Sequence, residues 1–411
     1  MKKTLLSAIA ISLIAFSACK KDKSTDPEPE TVNPFELEYS NLDVNGHKQN
    51  LEQAGIDFVK KIETLPDEKF VDVIDYLSQL EPAVNGESTV SSIFAINNAA
   101  KRKDLKGIFN TLATLDTATN RLSELYGVYT YNKTTGDWNE TASNTELKFV
   151  FPASANSNSN NASLTFTYAA SAVKVKIDGE NIELPSSVTA SLKADNKEEL
   201  KLTSSYEYKS DGTPTKSEVN ITLGSFSFNT KVSNTTTEAL SSLSLKKGNE
   251  TLLNFSADAK GSMSKGNAEE IDNVEDFVSS ANASFEVMHI QLIGQVDFKA
   301  VGAANDKINY NLPDSVTVQQ EAEAINKNSK VIAINKNDNK VIAKLTFKGY
   351  SETTSYCYTD WNNQRNCYTY TDSYLEPLLV FKDGSPLAFD SFFNNGFGKL
   401  IDELEDLGDR F

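Results

Sequence analysis

The densest chemistry in the sequence lies between Tyr356 and Tyr370, YCYTDWNNQRNCYTY, where tyrosines, Trp361, Arg365 and a pair of cysteines fall within one short stretch. Cysteines this close can be bridged if a hairpin brings them together. Rigid aromatic side chains give low-entropy contacts to a glycan or a protein. With Cys357 facing Cys367 across a hairpin, Tyr356 lies opposite Tyr368. The period of 2 along a strand then puts Tyr356, Tyr358, Tyr368 and Tyr370 on the face away from the disulfide. Such a bridge would contribute roughly 2–3 kcal/mol. Two readings of the aromatics follow: a recognition surface formed with Trp361 and Arg365, or cross-strand packing pairs that hold a long hairpin.

Catalytic chemistry is poorly supplied. Two His and three Cys in 411 residues leave little from which to build a metal site. GxSxG, HExxH, CxxC, P-loop and GxGxxG motifs are all missing from the sequence. Ser262 with Lys265 and Ser244 with Lys247 match the Ser-x-x-Lys spacing of some acyl enzymes, but without the accompanying motifs. His47 precedes the first helical segment and reads as solvated, while His289 reads as lying within a strand. Neither has a Cys or His neighbour. Carboxylates are abundant, but nothing in the sequence singles out a catalytic pair. A formal charge of −17 argues against nucleic-acid binding. The basic cluster Lys101-Arg102-Lys103 reads as a solvated helix junction. The expectation is a protein with no enzymatic activity, no cofactor and no metal.

The elements that position these residues change period along the chain. From about His47 to Tyr126, apolar residues recur at helical spacing: Leu51, Ala54, Phe58, Ile62 and Leu65, then Phe70, Val73, Ile74 and Leu77 behind Pro66. Asn85-Gly86 breaks the pattern and Ser88 could cap a third helix; Leu105 to Leu125 supply a fourth. At Gly127 the period becomes 2, as in Leu164, Phe166 and Tyr168, or Leu200, Leu202, Tyr206 and Tyr208. Asp178-Gly179 reads as a turn, Gly224-Ser225 as a bulge, and Asn156 to Asn161 as a flexible loop. A short helix is expected near Ala268 to Ala281, then one long strand from Phe285 to Val301. Residues 325–343 hold a short duplication, INKNSKVIA and INKNDNKVIA, with a hairpin turn at Asn337-Asp338-Asn339. Ser391 to Leu407 reads as an amphipathic helix.

Lys2 and Lys3, the apolar run from Leu5 to Phe16, and Phe16-Ser17-Ala18-Cys19 make up a short leader. It is too brief to span a bilayer, which needs about 20 residues. These residues resemble the bacterial lipobox, with Phe in place of the more usual Leu, a pattern similar to lipoproteins of the Bacteroidota. The resemblance implies cleavage before Cys19, acylation of that residue and an outer-membrane anchor, with the periplasmic or external face left open. Lys20 to Thr31 reads as a polar tether. Asp116-Thr117-Ala118 and Asp314-Ser315-Val316 resemble the O-glycosylation site of exported proteins of that group. With Cys19 acylated, Cys357 and Cys367 remain as a pair in an oxidising compartment.

The expected architecture is α+β: a helical segment over 35–126 packed on a large curved, mainly antiparallel sheet, half-barrel or meander, over 127–388. A stapled hairpin occupies 350–374 and a C-terminal helix 389–411. The signal peptide spans 1–18, the acylated Cys and tether 19–34, and 35–411 form one integrated domain. Two functions fit this plan. One is a membrane-anchored carrier of an apolar small molecule in a cavity between sheet and helices. The other is a surface recognition module for a glycan or envelope protein, using Tyr356, Tyr358, Trp361, Arg365, Tyr368 and Tyr370.

Overall fold

The computed structural model describes residues 33–82, 88–115, 122–177, 180–262 and 277–394. Residues 1–32, where a leader, an acylated Cys19 and most of a tether are expected, Asn85-Gly86, Asp116-Thr117-Ala118, Asp178-Gly179, Lys265, residues 268–276 and 395–411 lie outside the described residues. Half of the structure is strand and 27% helix, with a large, mainly antiparallel open sheet of 16 strands and a few helices. The residues group into two compact units: Ala54–Thr235 with Leu240–Ser256, and residues up to Gln53 with Thr236–Ala239 and those from Ala257 on. Helix α1 (Val44–Ile62) and strands β9 (Glu238–Lys247) and β10 (Glu250–Gly261) contribute residues to both.

The first unit carries helices α2 (Lys69–Gln79), α3 (Ser88–Arg102) and α4 (Leu105–Ala113). Its strands are β1 (Gly127–Asn132), β2 (Asp137–Ala142), β3 (Leu147–Phe151), β4 (Ala162–Ile177), β5 (Glu180–Ala194), β6 (Lys197–Tyr208), β7 (Pro214–Leu223) and β8 (Phe226–Asn234). They lie in the order β8-β7-β6-β5-β4-β3-β1-β2; β1 and β3 are parallel and the other pairs antiparallel. Period 2 is the reason: Leu147, Phe149, Phe151, Leu164, Phe166, Leu200, Leu202, Val219, Ile221 and Leu223 are buried, while alternate residues face outward. Helix α2 lies against β6 and α4 against β8, where Phe109 meets Phe228 edge-on at 5.4 Å. The space between these helices and strands is filled by fully buried Phe70, Ile74, Leu77, Ile108, Phe149, Phe166 and Phe226. Asp104 caps α4 by accepting from the Gly107 N–H at 2.6 Å.

Several expectations for this unit need correction. Gly224-Ser225 is a two-residue hairpin turn and not a bulge, because Leu223 pairs with Phe226 and Gly224 sits at φ +59°. Crossing to a new strand, not bending one, moves the apolar parity from Leu223 to Phe226. The fourth helix ends at Ala113, and Leu122–Leu125 form a separate 3-10 turn. The loop at Asn156 to Asn161 is tied down: Asn160 donates to the Tyr131 carbonyl and Asn161 to Asp195.

The second unit contains β11 (Val278–Val287), β12 (Ile290–Asp297), helices α5 (Phe298–Asn305) and α6 (Asp314–Asn328), then β13 (Ser329–Asn335), β14 (Lys340–Thr359), β15 (Arg365–Val380), β16 (Pro386–Ala388) and α7 (Phe389–Asn394). These strands pair in chain order, each antiparallel to the next. The single strand expected over Phe285–Val301 is two strands and a helix start. Val287 pairs with Ile290, so Met288-His289 is a two-residue turn with Met288 at φ +55°. No Gly, Asn or Asp marks that turn; its one trace is the change of apolar parity from Phe285 and Val287 to Ile290 and Leu292. Residues 278–281, expected to end a helix, belong to β11. Asn337-Asp338-Asn339 does form the β13–β14 turn. Of the helix expected at the C-terminus, Phe389–Asn394 is a short helix and the rest lies outside the described residues.

His47, expected to be solvated, is 3% exposed and stacks on Phe381 at 6.1 Å, with Phe381 in turn against Phe392. Burial pushes its imidazole below the ordinary value of 6.5, outweighing the pull of Asp338 and Asp43. The folded state therefore favours the neutral ring. Above pH of about 6.5 both states are neutral there and the contribution is flat. As pH falls through that value, the unfolded chain takes up a proton that the folded chain resists, and stability drops until the folded ring also protonates. Urea midpoints of the wild-type chain and His47→Gln at about pH 7.5 and about pH 5.5 check this. The wild type should lose more stability between the two; equal losses would refute it.

Helix α6 crosses β14 at Gly349, where a Cβ atom would lie 2.5–2.6 Å from the Val318 and Gln319 backbone. Gly349→Ala should therefore destabilise by about 1–3 kcal/mol through overpacking. Gly294→Ala, whose Cβ would meet Val331 at 3.6 Å, should cost well under 1 kcal/mol or stabilise. Denaturant midpoints at constant slope measure both.

Candidate functional site

Strands β14 and β15 run on as a two-stranded ribbon. β13 pairs with β14 only as far as Leu345, and β16 pairs with β15 only from Leu378 to Val380. From Ser351 to Thr359, a length of about 25–30 Å, β14 has β15 as its sole strand partner among the described residues. Pro377 sits where this begins: with no N–H to donate, it suits the outer edge of β15, just past the last pair with β16. An isolated two-stranded hairpin is marginal in water, so this one needs cross-strand support of its own.

That support is divided between the two faces. The register runs unbroken from Lys344↔Val380 to Thr359↔Arg365, pairing Cys357 with Cys367 and Tyr356 with Tyr368, as the alternation predicts. The cysteine sulfurs are at bonding distance, with Cα atoms 4.0 Å apart. On the same face, hydroxyls bridge the strands: Thr353 to Thr371 at 3.1 Å and Ser355 to Thr369 at 3.0 Å. The opposite face bears Tyr350, Tyr356 and Tyr358 on β14, with Tyr374, Tyr370 and Tyr368 on β15. Tyr350 stacks on Tyr374 at 5.8 Å, and Tyr358 lies nearly parallel to Tyr368 at 5.8 Å. The phenol oxygens of Tyr358 and Tyr368 are 3.4 Å apart, and this hydrogen bond, with some burial, raises the Tyr358 phenol above its ordinary value.

The tip is preorganised. Asp360 accepts from the backbone N–H groups of Asn362 and Gln364, each at 2.9 Å, and from the Asn366 amide. These bonds, that from Gln364 first, hold its carboxyl below the usual carboxylate range. Asn363 takes the left-handed conformation, φ +65°, that asparagine tolerates. This turn presents Trp361 with 92% of its surface exposed. Tyr356, Tyr368 and Tyr370 are each more than half exposed, an unusual outlay of aromatic area on a chain with a well-filled core.

The structure thus brings Tyr356, Tyr358, Tyr368 and Tyr370 onto one face and sets Trp361 at its end. Arg365 pairs with Thr359, on the disulfide face, and so stands apart from the tyrosines. The tyrosine face carries two residues that the sequence reading passed over, Glu352 and Asp372. They pair directly across the strands, and both are exposed. Strand parity alone would have found them. His289 lies in the β11–β12 turn, and its carbonyl accepts from the Lys336 N–H at 2.8 Å. Lys101 and Lys103 pair with Asp75 and Glu63, and Arg102 with Asp104, so the basic cluster is a paired helix junction.

Among the described residues no group of three or more His, Cys, Asp or Glu could hold a metal ion. No helix among them is long and apolar enough to cross a membrane. Neither family models, nor curated proteins, nor solved structures show a match to this chain.

The disulfide acts locally. Replacing Cys357 and Cys367 by Ser should fray the ribbon, raising amide exchange at Tyr356, Tyr358 and Tyr368 by about 30- to 150-fold, the equivalent of about 2–3 kcal/mol. The main thermal transition should move by less than about 2 °C, because the ribbon shares little of the buried core. A shift of the whole transition would show that the bridge supports the unit instead.

Proposed function

We propose that this chain is a membrane-anchored recognition module without enzymatic activity, using the ribbon as its binding element. The observation that carries this reading is the exposed aromatic face of a covalently closed, two-stranded ribbon. Cross-strand packing accounts for the stacks of Tyr350 with Tyr374 and Tyr358 with Tyr368. It does not account for Trp361, which touches little of the chain, nor for the exposure of Tyr356 and Tyr370. Rigid aromatics on a braced scaffold lose little entropy on contact, which is why such residues dominate binding energetics. The lipobox-like leader gives the proposal its location: acylation at Cys19 would hold the body at the outer membrane by its acyl chains, with no need for attraction between lipid and an acidic protein.

The alternative, an apolar carrier, finds less support. Large side chains pack the space between the helices and the sheet of the first unit. A groove of about 400 Å³ lies between α3 and α4, but Asn98, Lys101, Arg102 and Thr111 line it beside Ala95 and Ala99, a poor surface for a lipid.

An array of glycans and extracellular proteins, probed with the full-length chain, tests the proposal. Trp361→Ala and Tyr368→Ala should each weaken binding at least tenfold, about 1.4 kcal/mol, with the melting temperature unchanged. An array without any binder, or binders indifferent to both changes, would overturn it.

A further inference from the structure

The geometry points to a cationic partner: the tyrosine face of the ribbon recognises Lys or Arg side chains presented by a basic protein surface. This rests on the recognition reading above and names the chemistry of what is recognised.

Three observations lead there. Glu352 and Asp372 sit directly opposite one another on the tyrosine face, a pairing of like charges that destabilises a ribbon by itself. Neither has an ion-pair partner among the described residues, although many other carboxylates of this chain do. Tyr350 and Tyr374 flank the pair on one side, with Tyr370 on the other. Carboxylates set in register between aromatic side chains match what a guanidinium or ammonium group seeks, since the ring quadrupole and the negative charge attract it together.

The second observation is that the face already seats one cation. The Lys348 ammonium lies 4.8 Å from the centre of the Tyr350 ring, at the root of the same face, with Glu376 across the strand. An aromatic, a carboxylate and a cation are thus combined there within the chain itself. Two positions further out, the aromatics and carboxylates recur and the cation is not supplied.

The third is charge. The ribbon's one basic residue from Tyr350 to Tyr374, Arg365, is placed on the opposite face, leaving the tyrosine face wholly acidic. The chain as a whole has a formal charge of −17, which would speed encounter with a basic surface and repel acidic ones. A neutral glycan would use the rings but has no need of the carboxylates.

Binding of an octa-arginine peptide to the immobilised full-length chain tests this, with a neutral glycan array in parallel. Three variants are compared: Glu352→Gln with Asp372→Asn, Tyr356→Ala with Tyr370→Ala, and a control, Glu124→Gln with Asp137→Asn, that removes the same charge elsewhere. The carboxylate variant should bind the peptide about tenfold more weakly and the tyrosine variant similarly, whereas the control should change by less than about twofold. Binding should also weaken as salt rises. Equal loss in the control would assign the effect to net charge and overturn the inference, as would no peptide binding at all. If glycans bind through the tyrosines while the carboxylate variant is indifferent, the cationic assignment fails and the recognition reading stands. If the tyrosine variant alters no binding on either probe, both fail.

Discussion

The ribbon depends on how the edge of β14 is closed at its root. Where β13 stops pairing, at Leu345, the outward backbone groups of β14 would be left open to water or to another strand. Helix α6 takes over from the missing strand. The Asn326 side-chain amide donates to the Phe347 carbonyl at 2.7 Å and accepts from the Phe347 N–H at 2.8 Å, as a neighbouring strand would do. Gln319 accepts from the Gly349 N–H at 3.3 Å, one step further along. Such an approach requires that β14 have no side chain at the crossing, and Gly349 satisfies that. Beyond Gly349 no hydrogen bond from the helix to β14 is found among the described residues, and from Glu352 on the hairpin is exposed and braces itself.

What lies beyond is a division of labour between two faces. The disulfide and the Ser/Thr hydroxyl pairs occupy one face and contribute little that a ligand could grip. Together with the Tyr350–Tyr374 and Tyr358–Tyr368 stacks, they brace the hairpin well enough for the tyrosine face to hold residues that add nothing to its stability. Glu352 opposite Asp372 is the clearest sign: a hairpin selected for stability alone would put Thr pairs, or opposite charges, at that position. In water, like charges at cross-strand distance repel only weakly, and a covalent bridge five residues away more than offsets them. The ribbon can therefore carry an unfavourable pair without unravelling, and a bound cation would convert that pair from repulsive to attractive.

Much of this was legible in the sequence, for a physical reason. Period 2 and the equal spacing of Tyr356-Cys357 and Cys367-Tyr368 about a short polar turn leave one natural register, which the structure has. The antiparallel, half-wet sheet was legible for the same reason. What escaped notice depended on partners distant in sequence or on turns without markers. The end of helix α6 runs into a repeat: Ile325-Asn326-Lys327-Asn328 is helical, while the same four residues at Ile334-Asn335-Lys336-Asn337 end a strand and enter a turn. No local propensity can separate identical peptides; Val318 and Ala322, buried one turn apart upstream of the first copy, decide it. His47 is buried because Phe381, more than three hundred residues later, covers it.

Arg365 shows how far the aromatic cluster is a placed surface and not a mere concentration of residue types. Read as composition, Tyr, Trp and Arg within one stretch make a familiar binding set. Read as register, Arg365 opposite Thr359 must share the cysteine face, since one residue's shift along a strand exchanges faces. The same parity delivers Glu352 and Asp372 to the tyrosines. Were Arg365 one position nearer Cys367, it would stand across from Tyr358 and could occupy its ring from within the chain, as Lys348 does with Tyr350. Its actual position leaves the outer rings and their carboxylates open, so the face is complementary to a cation that the chain does not itself provide.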